Sequence, residues 1–243
     1  MIVGLYTGAS SMISQGDYQA VIARNLANIN TVGYKKNVAV FQSYISQLQD
    51  KDTSAAPHGI GSSLNTIATD FSQGTLEYTG NDLDISIKGE GFFVVKADTG
   101  ISYTRKGQFM LSRDMKLVTP EGWPLLGHEG EIQVPQKTKN ITIKENGSVF
   151  ADGREIGSIK IASVPNLTAL EPIGGCAYKL SDAVQQPKES TDFKIAQRYL
   201  ERSNVNAIDE MVNMISNMRG YQFSHKVTDS LDDTLKKLIK LAT

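Results

Sequence analysis

Two aspartates separated by one residue, Asp82 and Asp84, are the first candidates for chemistry in this sequence. Paired carboxylates can divide acid and base work between them in hydrolysis. They fall at the start of the run Leu-Asp-Ile-Ser-Ile-Lys, whose alternation predicts a strand with both aspartates on one face. Aspartate beside a turn is also an ordinary structural feature, and we favour that interpretation over a hydrolytic site.

Other reactive residue types occur without the spacing that chemistry needs. The glycine-containing runs "GEGFF" and "GHEG" lack the Lys-Ser/Thr of a phosphate-binding loop and the strand-to-helix context of a dinucleotide site. A single cysteine, Cys176, excludes an intramolecular disulfide and a cysteine-based zinc cluster. The histidines show no metal-ligand spacing; they are His58, His128 and His225. We therefore predict no enzyme, no cofactor and no metal site.

Charge and hydropathy exclude several classes of partner. The net charge of -1 and the scattered basic residues do not favour nucleic-acid binding. The longest apolar runs are far shorter than the roughly 20 residues needed to span a bilayer, so we predict no membrane insertion. The N-terminus lacks a basic region followed by a continuous apolar region, which predicts that there is no cleaved signal peptide.

The N-terminal 28 residues indicate one long helix. From Ile2 to Asn28 there is no proline, and apolar or small residues recur at spacings of three and four. This is a heptad seam, typical of helices that pack lengthwise on other helices. At ~1.5 Å per residue the helix would be roughly 40 Å long. The seam consists of Ile2, Leu5, Ala9, Met12, Gly16, Gln19, Ala23 and Leu26. Its small members, Ala9, Gly16 and Ala23, would let another helix approach closely.

The C-terminal end is also proline-free, from about residue 196 to residue 241. One seam contains Ile208, Met211, Ile215 and Met218, and a second contains Val227, Leu231, Leu235 and Leu238. The helix would be roughly 60 Å long. Ser203, Asn204 or Asn206 could cap its start, and acidic residues in the first turn would suit the positive end of the helix dipole.

The middle of the chain indicates an antiparallel β domain. Alternating runs are separated by short turns, and Asn146-Gly147 between two such runs is a strong hairpin signal. The stretch "AVFQSYISQLQD" could instead extend the first helix. The predicted divisions are an axial helical core of residues 1–34 and 197–243, a connector at 35–80, a central β domain at 81–185 and a return linker at 186–196.

We therefore predict an α+β fold in which long N- and C-terminal helices pack together in a coiled-coil-like way around a central antiparallel β domain. Neither helix can bury its apolar stripe alone. The two helices could pair within one chain or with helices of neighbouring chains, and the pattern does not distinguish these.

Three segments resemble the family of flagellar basal-body rod and hook proteins. The stretch "ARNLANINTVGYKK" is similar to the family's N-terminal signature, with Asn25, Leu26, Ala27 and Asn28 as its core. It continues through Asn30, Thr31, Gly33 and Tyr34. The run "FSQGTLEYTGNDLDISIKGEGFFVV", followed by "YTRKGQF", resembles the family's entry into the β domain. "LERSNVNAIDEMVNMISNMRGYQ" resembles its C-terminal helix signature.

The resemblance implies a structural subunit of the flagellar rod, assembling helically with copies of itself and with other rod proteins. It implies passage through the flagellar type III export apparatus without a cleaved signal peptide, and a location in the periplasm. The expected assembly interface comprises Leu5, Met12, Ala23, Asn25, Leu26, Ala27, Asn28, Asn30, Thr31, Gly33, Tyr34, Ile208, Met211, Ile215, Met218 and Tyr221. Outside the family, the alternative is a secreted adhesin or binding module that uses the β domain.

Within the family, the connector and the chain length favour the proximal rod. Distal rod subunits typically carry a longer stretch, rich in Gln and Thr, where this chain has the shorter "AAPHGIGSS". The distal rod is the alternative, and the chain is short for a hook protein.

Overall fold

The computed structural model describes residues 2–46, 58–136, 138, 140–181, 187–190 and 193–242. The chain divides into two compact units. Unit 1 is formed by Met1–Ala27, Asn37–Asp70 and Val205–Thr243, and unit 2 by Asn28–Lys36 and Phe71–Asn204. The fold is α+β, with an N-terminal and a C-terminal helix that pack together and a central antiparallel β domain, as the sequence predicts.

Unit 1 contains the two helices and one antiparallel hairpin. Its elements are α1 (Ile2–Ala27), β1 (Asn37–Ser46), β2 (His58–Thr69) and α2 (Ala207–Ala242). The hairpin packs against α1, where Tyr18 meets Phe41 edge to face with ring centroids 5.8 Å apart. Ser14 is buried, and its hydroxyl oxygen lies 2.6 Å from the carbonyl oxygen of Ser62.

The hairpin stands where an extension of α1 was one expectation, and that expectation is wrong. Residues 37–46 form a strand because Val38 and Val40 are β-branched and because β2 pairs with this segment in an antiparallel ladder. The α1 helix ends at Ala27, and Gly33, with a positive φ of 69°, lies in the turns between α1 and this segment. Part of the predicted connector, residues 47–57, lies outside the described residues.

The C-terminal helix begins at Ala207, directly after the last of the three candidate caps, whereas the predicted axial core extended back to residue 197. Residues 193–201 are strands, since their backbone groups pair with earlier strands of unit 2. Of the three candidate caps, Asn206 performs this role. Its side-chain oxygen accepts from the amide of Ile208 at 3.0 Å, and its carbonyl accepts from Glu210 at 3.1 Å. Asp209 and Glu210 lie in the first turn, as expected for the helix dipole.

Unit 2 is built from short strands joined by tight turns. They are β3 (Leu76–Tyr78), β4 (Ile85–Gly89), β5 (Phe92–Ala97), β6 (Gly100–Thr104), β7 (Met110–Leu111), β8 (Leu117–Val118), β9 (Leu126–Gly127), β10 (Gly130–Glu131), β11 (Ile141–Ile143), β12 (Ser148–Ala151), β13 (Arg154–Ser158), β14 (Ile161–Ser163), β15 (Leu170–Gly174), β16 (Ala177–Leu180), β17 (Lys188–Glu189), β18 (Phe193–Gln197) and β19 (Tyr199–Glu201). A single 3₁₀ turn, Leu167–Ala169, precedes β15.

The largest sheet of unit 2 has the order β15-β16-β6-β5-β14-β17, and β11-β12-β13 form a second sheet. The predicted Asn146-Gly147 turn joins β11 to β12, with Ile143 opposite Val149 and φ of 90° at Gly147. The last strands return to the first: β18 pairs with β4 and β19 pairs with β3, all antiparallel. The first and the last strands of unit 2 are therefore hydrogen-bonded to each other.

Two clusters of buried side chains fill unit 2. The larger one is centred on residues with almost no exposure, such as Phe93, Val95, Leu125 and Ile159. The smaller lies on the other side of β5 and includes Phe92, with Phe71 against it. Successive side chains of β5 therefore point alternately into the larger and the smaller cluster. In the part of the chain that the structure describes, neither helix is long and apolar enough to cross a membrane.

Candidate assembly surface

The contact between α1 and α2 is made by small and polar residues. A Cβ atom added at Gly8 would lie 2.6 Å from Thr228 Oγ1, and one added at Gly4 would lie 3.3 Å from Leu231. Ser11 and Ser224 approach to 3.3 Å between their hydroxyl oxygens. These pairings run in opposite directions along the chain, so the helices are antiparallel. We call the α1 residues of this contact, Gly4, Gly8, Ser11, Gln15 and Gln19, the α1 inner row.

The facing positions on α2, which we call the α2 inner row, are Asn217, Gly220, Ser224, Thr228 and Leu231. The Asn217 amide donates to the backbone carbonyl of Gln15 at 2.8 Å and to Gln19 Oε1 at 2.9 Å. Gln15 Oε1 is buried and accepts no hydrogen bond. A cavity of about 220 Å³ remains beside Ser11, Gln15 and Asn217. The hydrogen bonds and closest approaches at these positions therefore involve mainly small and polar groups, while Val21 and Ile22, nearer the end of α1, are buried.

The predicted C-terminal seam is exposed instead of facing α1. Its exposed fractions are 71% at Ile208, 50% at Met211, 54% at Ile215 and 54% at Met218. We call these four residues the α2 outer row. Val212 and Phe223 beside it are also more than half exposed. A helix of a self-contained globular protein would bury this stripe and leave its polar side in water.

Helical geometry explains the exposure of the α2 outer row. Residues of an α-helix are separated by about 100° around the axis, so positions three and four apart share a face. The outer row and the inner row each follow that spacing but start at different residues, and they fall on roughly opposite sides of α2. The α2 helix therefore has its polar side towards α1 and its apolar side towards solvent.

The predicted N-terminal seam is divided between faces of α1. Leu5, Met12 and Leu26 are half-buried, whereas Gly16 and Ala23 are exposed. A Cβ atom at Gly16 would meet nothing within 4 Å, so the predicted close approach occurs at Gly4 and Gly8 and not at Gly16. Two large side chains, Tyr6 and Ile13, face solvent with exposed fractions of 67% and 68%. We call Tyr6 and Ile13, which share one face of the helix, the α1 outer surface.

Asn25, the first residue of the N-terminal signature, is buried and serves the interior of unit 1. Its side chain accepts from the amide of Asn37 at 2.9 Å and donates to the carbonyl of the same residue at 2.9 Å. It also donates to Glu210 Oε2 at 3.3 Å. Asn25 therefore fixes the first residue of β1 and the first turn of α2 against the end of α1.

The next signature residues form successive turns at the start of unit 2. The amide and hydroxyl of Thr31 both donate to Asn28, each at 3.1 Å, and the amide of Tyr34 donates to the Thr31 carbonyl at 3.3 Å. Asn28, Thr31 and Tyr34 are half-buried, while Ala27 at the end of α1 and Asn30 are exposed. Tyr221 on α2 is exposed by 42%.

Gly33 and Lys35 lie in the interior of unit 2. The Gly33 amide donates to the Glu201 carbonyl at 2.8 Å. The ammonium of Lys35 is almost completely buried and lies 2.6 Å from Glu201 Oε1 and 2.7 Å from the Ser72 carbonyl. Arg105 Nη1 lies 3.5 Å from the other carboxylate oxygen of Glu201. Burial lowers the pKa of Arg105, and the Glu201 carboxylate opposes this effect. The carboxylate of Glu201 therefore forms ion pairs with both buried cationic side chains, Lys35 and Arg105.

The candidate chemical residues have structural partners. Asp84 is buried and accepts from Thr79 Oγ1 at 2.7 Å and from Asn81 Nδ2 at 3.1 Å, closing the turn before β4. Asp82 forms an ion pair with Arg198 at 2.7 Å. Burial raises the pKa of the Cys176 thiol, which disfavours the reactive thiolate. The described residues contain no cluster of His, Cys, Asp or Glu that could hold a metal ion.

Apart from Gln19 and Leu231, which belong to the predicted seams, the residues of the α1 and α2 inner rows were not predicted because they are small and polar. A search for apolar periodicity gives no weight to Gly4, Gly8, Ser11 and Gln15. The signal that could have revealed this face is the small residue pair four positions apart, Gly4 and Gly8, which permits close helix contact. The buried charges Lys35 and Glu201 also carry no periodic signal, since lysine and glutamate are usually exposed.

The two terminal helices contact each other through polar groups, and both expose large apolar side chains to solvent. This arrangement is typical of a structural subunit of a larger assembly. Comparisons with known proteins agree. Residues 5–35 match a model described as flagella basal body rod protein. Residues 86–151 match the flagellar hook protein FlgE/F/G D1 domain, and residues 196–241 match the flagellar basal body rod FlgEFG protein C-terminal model.

Relatives match over nearly the whole chain. It is 33% identical to the flagellar basal-body rod protein FlgG of Bacillus subtilis, with 99% of both chains covered. It is 33% identical to FlgG of Buchnera aphidicola subsp. Schizaphis graminum, covering 99% of this chain and 100% of the relative. FlgG of Agrobacterium fabrum is 31% identical over 94% of this chain and 95% of its own. The chain belongs to the flagellar basal-body rod protein family and is a structural subunit of the rod.

Proposed function

We propose that this subunit builds the rod by burying the α2 outer row and the α1 outer surface against helices of neighbouring subunits. The proposal rests on one observation: four large apolar side chains of α2, from Ile208 to Met218, are at least half exposed while the polar side of the same helix is occupied by α1. Fully burying side chains of this kind contributes about 1.5–3 kcal/mol each. Assembly supplies this burial, and the role is structural and not enzymatic.

The assembly partners in this proposal are copies of the same chain and other rod proteins. The chain reaches the periplasm through the flagellar type III export apparatus. The small and polar groups through which α1 and α2 meet support this route, because such contacts are separated at lower cost than large apolar ones. Ordering them costs about 1–2 kcal/mol of backbone entropy per residue, which opposes polymerisation before export.

A pair of neighbouring substitutions tests the proposed surface. Ile215→Asp puts a charge in the middle of the α2 outer row, whereas Ser216→Asp puts the same charge on the adjacent exposed position. A carboxylate buried in an apolar contact without a partner costs several kcal/mol. In cells whose own copy of the gene is deleted, Ile215→Asp should be exported but should not support rod completion, and Ser216→Asp should support it.

The readout is electron microscopy of purified basal bodies together with swimming in soft agar. Complete rods in cells that carry Ile215→Asp would refute the proposed surface. Rods in the deletion strain itself would refute the proposed function as a whole.

The position of the subunit along the rod is a separate question. The short connector "AAPHGIGSS" supports a proximal position, and the names of the relatives carry no position. A gold-labelled or tagged subunit located in averaged images of basal bodies would decide this. Density near the motor end would support the proximal position, and density next to the hook would support the distal alternative.

A further inference from the structure

Every position at which the chain enters or leaves unit 2 lies in one of three short stretches. Since unit 2 consists of Asn28–Lys36 and Phe71–Asn204, these stretches are residues 28–36, 71–75 and 201–204. Apart from Phe71, which packs against the smaller cluster of buried apolar side chains, their residues belong to neither cluster of unit 2. The two clusters therefore do not account for how the three stretches are held together.

Glu201 joins the third stretch to the other two. Its Oε1 accepts from Lys35 Nζ at 2.6 Å and from the amide of Gly74 at 2.9 Å. Its backbone carbonyl accepts from the amide of Gly33 at 2.8 Å. The side chains of Lys35 and Glu201 are each only 1% exposed. Because hydrogen bonds to a charged group are strong where water is excluded, this one residue links all three stretches firmly.

Asn204 joins the same three stretches a second time. Its Oδ1 accepts from the amide of Lys36 at 2.7 Å, and its Nδ2 donates to the hydroxyl and the carbonyl of Ser72 at 2.9 and 3.2 Å. Lys35 Nζ also donates to the Ser72 carbonyl, at 2.7 Å. We call Lys35, Ser72, Glu201 and Asn204 the exit clamp. None of the three stretches is therefore held by one contact alone.

We propose that the exit clamp makes the three stretches open and close as one cooperative unit, separate from the two apolar clusters. A force that reaches unit 2 along any one stretch is then shared by all three before it acts on the clusters. This inference goes beyond the proposed function, because it concerns how a single subunit bears load, whichever of its surfaces assembles.

The buried charges are the physical reason for the cooperativity. If residues 28–36 moved out alone, Lys35 would leave the Glu201 carboxylate in the interior with only the longer contact of 3.5 Å to Arg105 Nη1. If residues 201–204 moved out alone, Lys35 would remain inside without its carboxylate. A buried charge that loses its partner is strongly disfavoured. Opening of one stretch is therefore less favourable than opening of all three together.

Amide hydrogen exchange on the full chain tests the cooperativity with Asn204→Ala. The substitution removes the acceptor of the Lys36 amide and leaves the acceptors of the Gly33 and Gly74 amides in place. We expect exchange at Gly33 and Gly74 to become about tenfold faster or more, as at Lys36, because stretches that open together lose protection together. The amides of β5 should keep their protection.

The matched control is Asn166→Ala, because the side-chain hydrogen bonds of Asn166 lie within its own turn. It should change none of these amides. Faster exchange at Lys36 alone in Asn204→Ala would overturn the proposal, since Asn204 would then hold a single amide. Equal acceleration in β5 would also overturn it, since Asn204 would then stabilise unit 2 as a whole.

Forced unfolding of single molecules tests whether load enters unit 2 through the exit clamp. Two pulling arrangements are compared, one whose handles lead along the chain to residues 36 and 204, and one whose handles lie on exposed positions of unit 2 outside the three stretches. The handles are attached to cysteines in a Cys176→Ser background: Gln42→Cys and Asp233→Cys in the first arrangement, Asp98→Cys and Glu171→Cys in the second.

Asn204→Ala should raise the unfolding rate of unit 2 at a given force about tenfold in the first arrangement, because forced unfolding follows the unfolding rate along the direction of the load. In the second arrangement the rate should stay nearly the same. In the first arrangement the unfolding of unit 2 is recognised by the release of the chain between residues 36 and 205, roughly 590 Å at about 3.5 Å per residue. Any other pattern of rates would overturn the proposed sharing of load.

Discussion

Gly33 occupies a backbone position that no other residue fits. Its φ is 69°, and a Cβ atom would lie 2.6 Å from the Lys106 amide nitrogen and 2.8 Å from the Arg105 carbonyl carbon. Both neighbours are backbone atoms and cannot rotate away. The aromatic and basic residues that follow Gly33 in the signature thus depend on this close approach.

Gly33→Ala should lower the free energy of unfolding of unit 2 by about 3 kcal/mol or more, from positive φ and steric overlap together. Gly153→Ala is the matched control, since Gly153 has φ of 85° but no atom within 4 Å of its added Cβ. The control should lose only the conformational cost of about 1–2 kcal/mol. Urea unfolding of both variants measures the difference, and equal losses would contradict the steric argument.

Glu131 gives unit 2 a dependence on pH. Hydrogen bonds from Lys116 at 2.6 Å and from Lys96 at 3.4 Å lower the pKa of its carboxyl below the ordinary value of 4.5. A lowered pKa means that the native state favours the ionised form. The stabilisation is therefore present above the unfolded pKa and is lost as the pH falls through the folded pKa.

Glu131→Gln should be less stable than the unmodified protein at pH 7, and the two should converge as the pH falls below 4.5 and through the lowered pKa of the folded state. Urea midpoints measured across that range check this. Glu129→Gln, at a neighbouring exposed carboxylate, is the control. A difference between Glu131→Gln and the unmodified protein that persists unchanged at about pH 3 would show that ionisation of Glu131 is not its cause.

At the scale of elements, the contact between α1 and α2 depends on glycine. Gly8→Ala would bring its Cβ atom against Thr228 Oγ1, which itself donates to the Ser224 carbonyl at 2.9 Å. Gly16→Ala adds the same methyl group to the same helix in open space. Both substitutions raise intrinsic helix stability by roughly 1 kcal/mol. The difference between their effects on the stability of the helix pair therefore reports the contact between Gly8 and Thr228.

We expect Gly16→Ala to increase the helical stability of unit 1 and Gly8→Ala to weaken the pairing by about 1–2 kcal/mol relative to it. Adding Thr228→Ala should restore the pairing in the Gly8→Ala background, because the overlapping oxygen is removed. Distances between spin labels on α1 and α2 report the pairing. Unchanged distances in all three variants would show that this contact tolerates a methyl group.

The strands of unit 2 were predictable because alternation and turn residues determine them locally. Phe92–Ala97 and the Asn146-Gly147 hairpin are examples. The β1–β2 hairpin was not, since the run from Val38 to Ile45 is compatible with either period and only its partner strand decides. Residues 193–201 show the same limit: they are strands because β3 and β4, more than a hundred residues earlier, provide their hydrogen bonds.

At the scale of the whole molecule, the two units differ in how they are stabilised. Unit 2 has two clusters of buried apolar residues, whereas the helices of unit 1 meet through glycine, serine, glutamine and asparagine. Local stability follows buried apolar contact. An isolated subunit should therefore open its helices far more often than its sheets.

Amide hydrogen exchange on a dilute monomer should show protection in α1 and α2 that is lower by about 3 kcal/mol or more than in β5 and β14. In assembled rods the protection of both helices should rise to that of the strands. Equal protection of helices and strands in the monomer would contradict the proposal that assembly completes the burial of the helices.

The ion pair between Lys35 and Glu201 joins positions 166 residues apart in the sequence, and it has a consequence for the timing of folding. A chain that emerges N-terminus first presents Lys35, β3 and β4 long before β18, β19 and Glu201 are available. During that interval the lysine has no carboxylate to enter the interior with, and two strands lack their partners. Unit 2 therefore cannot finish folding until nearly the whole chain has emerged. The strand pairs and the ion pair that complete the fold thus also delay its formation.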